Sequence, residues 1–218
     1  MSIYVLNLLL IGIYSLIYNA IPNNGIIRKN SRKVFVFLIT TQLIMILALR
    51  HNSVGYDLRS YLNFFRAISA DPIYHIENHR FEMGYKILNY IISSISLNEQ
   101  VFITAISAIT LIPIGIVIYR YSKMPFLSFI IFISFNYYAF MFSGLRQGIA
   151  YSLVLLSFGF IKESKLIKFM IVVLLASLFH KSALIFLPAY FIYRIKFNKR
   201  ISLIYVLINA IVYLFRKP

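Results

Sequence analysis

The segment at residues 143–148 (SGLRQG) has the composition of a phosphate-binding site. It separates two strongly apolar stretches, and an arginine embedded between such stretches is a functional candidate by default. The guanidinium of Arg146 matches phosphate oxygens bidentately, and the two glycines allow close approach of a ligand to the backbone. A helix beginning near Gln147 would add free N–H groups at the same place. Snorkelling of Arg146 to the membrane surface is the alternative role.

Residues 179–183 (FHKSA) interrupt the next pair of apolar stretches. His180 is a candidate general base, because the unperturbed pKa of an imidazole lies near neutral pH. Lys181 would add positive charge for an anionic leaving group. The same residues would also serve as a simple polar hairpin tip, and their spacing alone does not decide between the two roles.

A third polar segment lies at residues 50–57 (RHNSVGYD), where a cation, an imidazole and a carboxylate follow an apolar stretch. Gly55 permits a tight turn before Asp57. Arg50 and Asp57 are therefore candidates for a site at the membrane surface, although an arginine at a helix end often only snorkels.

Residues 57–68 (DLRSYLNFFRAI) have the period of an amphipathic helix. Their apolar side chains fall on one stripe, while Arg59 and Arg66 fall on the other. The pattern predicts a helix that lies on the membrane surface. The two arginines either anchor that helix or help to form a mouth for an anionic lipid-linked substrate.

His75, His79 and Glu82 would share one face of a helix, as the ligands of a zinc site can. The sequence lacks the glutamate next to the first histidine that a zinc-protease motif needs. Pro72 and the mixed polar composition instead predict a loop around residues 71–80. We therefore expect no metal site and no cofactor.

The elements that position these groups follow from composition. The chain has 218 residues, of which 61% are hydrophobic and 13% are charged. Soluble domains are about 25% charged, so this class is excluded, and disorder is excluded by 17% aromatic residues. The absence of cysteine excludes disulfides and thiolate metal sites. The sequence predicts an all-α, polytopic transmembrane bundle that forms one integral membrane domain over residues 1–218.

A bilayer core about 30 Å thick requires about 20 apolar residues per helix. About eight spans are predicted, some of them short or broken: 2–21, 34–49, 101–119, 124–142, 147–161, 166–180, 182–193 and 201–215. The first span lacks a basic leader and a cleavage site, so we interpret it as a retained helix rather than a signal peptide. The polar segment 50–100 is predicted to be external, with 83–98 interfacial or re-entrant. The chain is predicted to reverse after His180, and a single helix over 169–193 is the alternative.

The formal net charge is +16, from 22 Lys+Arg and 6 Asp+Glu. The cations form short clusters between apolar stretches rather than one basic face, which favours membrane topology over nucleic-acid binding. Four clusters are predicted to be cytoplasmic: Arg28 to Lys33 in one connection, Arg120 with Lys123, Lys162 to Lys168, and Arg194 to Arg200. This orientation places Arg146 and His180 on the outer side.

Four segments in this order resemble the EpsG family, the Wzy-like polymerases of bacterial exopolysaccharide and O-antigen assembly. They are Arg50 with 54–57 (VGYD) and Tyr61, 82–85 (EMGY), 144–150 (GLRQGIA), and Ala176 with 179–184 (FHKSAL). The resemblance covers roughly residues 1–200. Family members usually continue through further spans, which leaves open a C-terminally truncated polymerase.

The resemblance implies a multi-pass glycosyltransferase-type polymerase of the bacterial plasma (inner) membrane, which acts in exopolysaccharide, capsule or O-antigen biosynthesis. It would transfer a growing chain from a polyprenyl diphosphate to a sugar hydroxyl of the next repeat unit. The diphosphate would meet Arg146 and Arg50, with Lys181 or Arg59 in support. His180 is the leading base, with Asp57 and Glu82 as alternatives or as groups that orient the sugar. Five tyrosines could stack on sugar rings: Tyr56, Tyr61, Tyr85, Tyr137 and Tyr138.

The partners implied are the lipid-linked oligosaccharide, membrane lipids and a polysaccharide chain-length regulator, without nucleic acid. Two other roles stay open: a flippase or exporter of the same lipid-linked glycan, and a non-catalytic membrane component of a polysaccharide assembly system. Transporters tend to contain internal repeats and polar groups at mid-membrane depth. The sequence has no clear repeat and its charges collect at one face, which favours surface chemistry over transport.

Overall fold

The computed structural model describes residues 2–22 and 25–196, together with residues 207, 209 and 213. Every regular element in this part of the chain is helical, which confirms the all-α prediction. The α-helices are α1 Ser2–Ala20, α2 Gly25–Ala48, α3 Leu58–Ala70, α4 Pro72–Asn78, α5 Met83–Ile95, α6 Glu99–Tyr121, α7 Pro125–Ser134, α8 Tyr137–Phe140, α9 Leu145–Lys162, α10 Leu166–Ser177 and α11 Ala189–Ile192. A 3₁₀ helix spans Lys181–Phe186. The chain divides into two compact units, Met1–Leu187 and Pro188–Pro218, and α11 belongs to the second.

Two of the described helices, α2 and α6, are long and apolar enough to cross a bilayer. They contain 24 and 23 residues, more than the roughly 20 that a span requires. Four shorter apolar helical stretches accompany them: Val5–Ala20, Pro125–Ser134, Leu166–Ser177 and Lys181–Ile192. These lengths suit a membrane protein, while the predicted count of about eight spans is not confirmed. The predicted span 201–215 lies almost wholly outside the described residues.

Helix α2 begins nine residues before the span predicted at 34–49, at Gly25. The cations from Arg28 to Lys33 therefore lie on the first turns of a helix, and the prediction that they form a connecting loop was wrong. Arg28 donates to the carbonyl of Tyr18 at 2.5 Å, and Arg32 donates to that of Tyr119 at 2.7 Å. These contacts with the ends of α1 and α6 stabilise the basic turns as part of the helix.

The stretch predicted as one span at 124–142 is broken, which corrects that prediction. Helix α7 has 10 residues and is only about 15 Å long. It ends where Asn136 adopts a left-handed conformation with φ 67°, a conformation that asparagine tolerates better than most residues. The single turn α8 follows directly, and Tyr138 on it donates to the carbonyl of Leu43 at 2.8 Å.

The chain also breaks between α10 and the 3₁₀ helix, where His180 has extended backbone angles, φ −157° and ψ 122°. The alternative of one continuous helix over 169–193 is therefore wrong. The break leaves His180 in the connection between two helices.

Residues 71–80, predicted as a loop, contain the short helix α4. Pro72 occupies its first turn, where a missing N–H costs nothing, and Asp71 caps it by accepting from the N–H of Tyr74 at 3.1 Å. Proline and aspartate thus start this helix rather than exclude one. The amphipathic helix predicted at 57–68 is confirmed as α3, with Leu58 and Phe65 buried and Arg59 exposed.

Among the described residues of the first unit, two large apolar cores both include side chains of α6. One core joins α6 to α1, α2, α7 and α8 around fully buried Ile39 and Phe129. The other joins α6 to α3, α5 and α9 around Phe65 and Phe102, whose rings stack at 4.5 Å. A small cluster of Ala150, Ala176 and Ala183 lets α9, α10 and the 3₁₀ helix approach closely. This second core and the alanine cluster position the polar groups described next.

Candidate functional site

Three of the predicted site residues meet in one place: Glu82, Arg146 and His180. A guanidinium nitrogen of Arg146 forms an ion pair with Oε2 of Glu82. Nδ1 of His180 lies 3.3 Å from the other carboxylate oxygen, Oε1, although the ring N–H does not have hydrogen-bond geometry toward it. The side chains of Glu82, Arg146 and His180 are 11%, 19% and 22% exposed, so the cluster is partly buried and still open to solvent.

A close backbone contact brings Glu82 next to His180. The N–H of Gly84, in the first turn of α5, donates to the carbonyl of Leu178 at 2.9 Å. A β-carbon on Gly84 would lie 2.8 Å from the Leu178 β-carbon and 2.9 Å from that carbonyl oxygen. Only glycine fits this approach without displacement. The contact therefore explains why a glycine stands two residues after Glu82.

Gln147 completes the cluster on α9, next to Arg146. Its Nε2 lies 3.2 Å from Nε2 of His180. An amide nitrogen can only donate, so this ring nitrogen accepts, and the neutral imidazole then carries its proton on Nδ1, facing Glu82. With this orientation of the Gln147 amide, the basic nitrogen of His180 faces away from the carboxylate. Gln147 was part of the motif at 143–148, but its contact with His180 was not predicted.

The electrostatics keep Glu82 ionised. Burial acts to raise the pKa of its carboxyl, but the backbone N–H of Glu82 and the positive charge of Arg146 outweigh burial. The pKa of Glu82 is therefore lowered below its ordinary value. A carboxylate with a lowered pKa is a weak base, so Glu82 is better suited to pair with Arg146 and orient His180 than to remove a proton.

Aromatic side chains form the floor beneath Arg146. Its guanidinium stacks over the ring of Phe81 at 4.3 Å, and it also interacts with the side chain of Tyr61. Phe81 in turn packs against Phe64 and Tyr85, with ring centroids 4.9 Å and 5.5 Å apart. This aromatic cluster joins α3 to α5 and holds the Arg146 guanidinium in position. No motif in the sequence indicates that Phe81 belongs to the site.

Arg50 is buried close to the beginning of α9 rather than displayed at a surface. It is 7% exposed, and it donates to the carbonyl of Phe142 at 2.9 Å. Burial lowers the pKa of Arg50 to about 10, so the guanidinium stays protonated at neutral pH. Arg50 therefore supplies a fixed positive charge inside the protein.

The loop at 50–57 fastens to the turn before α9 at two further points. Gly55 has a φ of 114°, and a β-carbon there would lie 2.1 Å from the Phe142 carbonyl oxygen. The N–H of Tyr56 donates to Oγ of Ser143 at 3.0 Å. These contacts position residues 142–144, from which Arg146 and Gln147 follow on α9.

The other predicted site residues, Asp57, Arg59 and Lys181, are exposed and have no side-chain hydrogen bond or ion pair among the contacts of the described residues. Lys181 begins the 3₁₀ helix next to His180. Asp57 precedes α3 without capping it through its side chain. Lys181 is thus next to a cluster residue in the sequence, whereas the structure assigns no role to Asp57 or Arg59.

Three of the five tyrosines proposed to stack on sugars are buried, which corrects that proposal: Tyr61, Tyr85 and Tyr138. Their rings pack in the protein core and leave no face for a sugar. Tyr56 and Tyr137 are exposed.

His75, His79 and Glu82 do not share a helix face. Helix α4 ends at Asn78, and the ring of His79 packs at 4.3 Å from both Phe64 and Phe81. Within the described part of the chain, no group of three or more His, Asp and Glu residues is arranged to hold a metal ion.

Several polar atoms around Arg146 are buried and have no hydrogen-bond partner among the described residues. They are Nε of Arg146, the hydroxyl of Tyr85, and Nε and Nη2 of Arg50. The Tyr85 hydroxyl interacts electrostatically with both guanidiniums, so these donors belong to one region. Burying unpaired donors is costly, and functional sites are a common place for them.

Comparison with known protein families identifies a match. The model of the EpsG family matches residues 33–217, which include all the residues of the cluster. Neither the curated proteins nor the solved structures gave a match. Because the matched region covers most of the chain, this protein is a member of the EpsG family.

Proposed function

We propose that this protein is a Wzy-like polysaccharide polymerase that joins polyprenyl-diphosphate-linked oligosaccharide repeat units at the outer face of the bacterial plasma membrane. The observation that carries the proposal is the Glu82–Arg146–His180–Gln147 cluster, which combines a cation for phosphate with an oriented imidazole. Family membership and the apolar helices support a role in membrane polysaccharide biosynthesis.

In this reaction His180 is the general base. Its Nε2 carries a lone pair when Nδ1 holds the proton, as the contact with Gln147 indicates. An acceptor sugar hydroxyl that takes the place of the Gln147 amide would give its proton to Nε2 as its oxygen bonds to the anomeric carbon of the donor. Glu82 then faces the imidazolium across 3.3 Å and stabilises its charge.

Arg146 receives the leaving diphosphate. As the anomeric C–O bond breaks, the electron pair stays on the diphosphate oxygen, and the guanidinium can exchange part of its pairing with Glu82 for two phosphate oxygens. Arg50 is too buried for direct contact in this conformation and contributes through its charge. Exposed Lys181 and Arg59 attract the anion from solvent, and Asp57 orients the sugar.

A groove beside the cluster suits the polyprenyl tail. Gln147 shares one face of α9 with Tyr151, Leu155 and Phe158, because they follow at helical spacing. The last three residues line a largely apolar cavity of about 520 Å³ between α6, α7 and α9. This face extends about 16 Å from the cluster along the helix. A lipid with its diphosphate at Arg146 could therefore lay its tail along α9.

The test measures polymer length in a strain that lacks its own polymerase and carries the wild-type chain or a variant. We expect wild type to restore long polymer, and Arg146→Ala or His180→Ala to leave single repeat units. Arg146→Lys should restore little, since lysine cannot pair bidentately. Arg80→Ala is the matched control, because Arg80 is an exposed arginine close to the cluster in sequence.

Single units that persist with the wild-type chain would rule out polymerisation by this protein. Repeat units that fail to reach the outer leaflet after deletion of the gene would point to a flippase instead. Equal loss in Arg80→Ala and Arg146→Ala would show that overall charge, rather than the cluster, supports activity.

A further inference from the structure

A second cationic site lies among the helix ends α1, α2 and α6, away from the cluster around Arg146. Its cavity of about 560 Å³ is lined by four cations, Arg28, Lys29, Arg32 and Lys123, together with Tyr18 and Gly25. No carboxylate lines it among the described residues. We call it the basic pocket. The proposed polymerase chemistry uses none of these residues.

The two arginines of the basic pocket are held in place by the protein. Arg28 donates to the carbonyls of Tyr18 and Ile21, at 2.5 Å and 3.3 Å, and its guanidinium stacks over the Tyr18 ring at 3.8 Å. Arg32 donates to the carbonyls of Tyr119 and Ser122 at the end of α6. Its Nε is buried without a hydrogen-bond partner among the described residues. These carbonyls carry no formal charge, so each guanidinium keeps a net positive charge that an anion can neutralise.

Lys29 and Lys123 are exposed at the same pocket, and no contact among the described residues engages their ammonium groups. They add two exposed charges to the two that hydrogen bonds hold in place. Four cations without a carboxylate favour a phosphate over a neutral ligand.

An apolar groove adjoins the basic pocket and shares Tyr18 with it. This α1–α2 groove has a volume of about 460 Å³ and is lined mainly by apolar side chains, among them Ile17, Val34 and Leu38. Those three side chains are 42–59% exposed. A cationic pocket joined to an apolar groove fits a molecule that has a phosphate at one end and a hydrocarbon chain at the other.

We propose that the basic pocket and the α1–α2 groove together bind an anionic phospholipid, with the headgroup phosphate among the four cations and one acyl chain between α1 and α2. Basic pockets between transmembrane helices on the cytoplasmic side bind lipid headgroups in this way. The bound lipid would link α1, α2 and the end of α6, which Arg28 and Arg32 also join. The proposal rests on contacts separate from those of the polymerase cluster.

The test uses the full chain in mixed micelles of detergent and a neutral phospholipid at physiological salt concentration. Phosphatidylglycerol is titrated in, and thermal unfolding is followed. We expect the unfolding temperature to rise with phosphatidylglycerol and to saturate. In the double variant Lys29→Gln/Lys123→Gln the half-saturating fraction should rise about tenfold or more, since each lysine near an anionic surface contributes about 1 kcal/mol. Val34→Trp, which fills the groove, should weaken the effect without changing charge.

The double variant Lys33→Gln/Lys168→Gln is the control, because it removes two exposed cations that do not line the pocket. It should titrate as wild type does. An unchanged titration in Lys29→Gln/Lys123→Gln, or an equal loss in the control, would overturn the proposal. Inorganic phosphate is tested in parallel, and if it alone reproduces the stabilisation, the site binds a free anion rather than a lipid.

Discussion

Gly84→Ala provides a stringent test of the cluster geometry, because it changes neither charge nor polarity. The new β-carbon would lie 2.8 Å from that of Leu178, whereas carbon atoms in good contact are about 3.5 Å or more apart. The first turn of α5 and the turn at 178–180 must therefore separate by about 0.7 Å. The gap between Glu82 and His180 would grow from 3.3 Å toward the limit of an ion pair, about 4 Å.

A misplacement of about 1 Å in a catalytic group can cost about 100-fold in rate, so we expect polymerisation to fall about tenfold to 100-fold. Overpacking should lower the free energy of unfolding by about 1–3 kcal/mol, partly offset by the higher helix propensity of alanine. The rate is measured as polymer formed per amount of protein in membranes, and the stability by thermal unfolding in micelles.

Gly12→Ala is the matched control, since a β-carbon at Gly12 meets nothing within 4 Å. It should polymerise as wild type does. Wild-type polymer formation by Gly84→Ala would refute the inference that the close approach of Gly84 to Leu178 sets the distance between Glu82 and His180.

Two further variants test the electrostatics and the backbone of the site. Glu82→Gln should cost about 1–3 kcal/mol of stability at pH 7, because Arg146 loses its partner. The folded state lowers the pKa of Glu82, so its stabilisation is present above the unfolded value of about 4.3 and is lost as pH falls through the lowered pKa. The free energies of unfolding of wild type and Glu82→Gln should therefore converge as the pH falls below about 4. A difference that does not change with pH would contradict this prediction. Gly55→Ala should destabilise by about 3 kcal/mol or more, since φ is positive and the β-carbon would meet the Phe142 carbonyl at 2.1 Å. Gly25→Ala, at an open position, should unfold as wild type does.

The sequence alone determined the class of this protein. Long uncharged stretches have a low free energy only in lipid or a core, and their number and composition predicted a helical membrane protein without reference to any contact. The period of residues 57–68 likewise determined α3, because amphipathicity is a local property. The motifs at 82–85, 144–150 and 179–184 also identified the family through local residue types.

Local patterns could not determine how these motifs meet. Glu82 and Arg146 are 64 positions apart, and their pairing depends on the packing of α5 and α9 against α6. That pairing places Glu82 against Arg146 and His180, which lie far from it in the sequence. Arg50 was expected at a surface and is buried, because its guanidinium reaches a carbonyl 92 positions away.

Hydropathy likewise could not predict where the apolar stretches break into separate helices. A stretch such as 124–142 is apolar throughout, but the left-handed backbone of Asn136 ends α7 where Tyr138 can reach the carbonyl of Leu43. Hydropathy reports the affinity of a segment for lipid, whereas a helix ends where backbone conformation and tertiary hydrogen bonds favour another path. The sequence therefore determined which side chains were available for chemistry, and the packing of the helices decided which of them lie together.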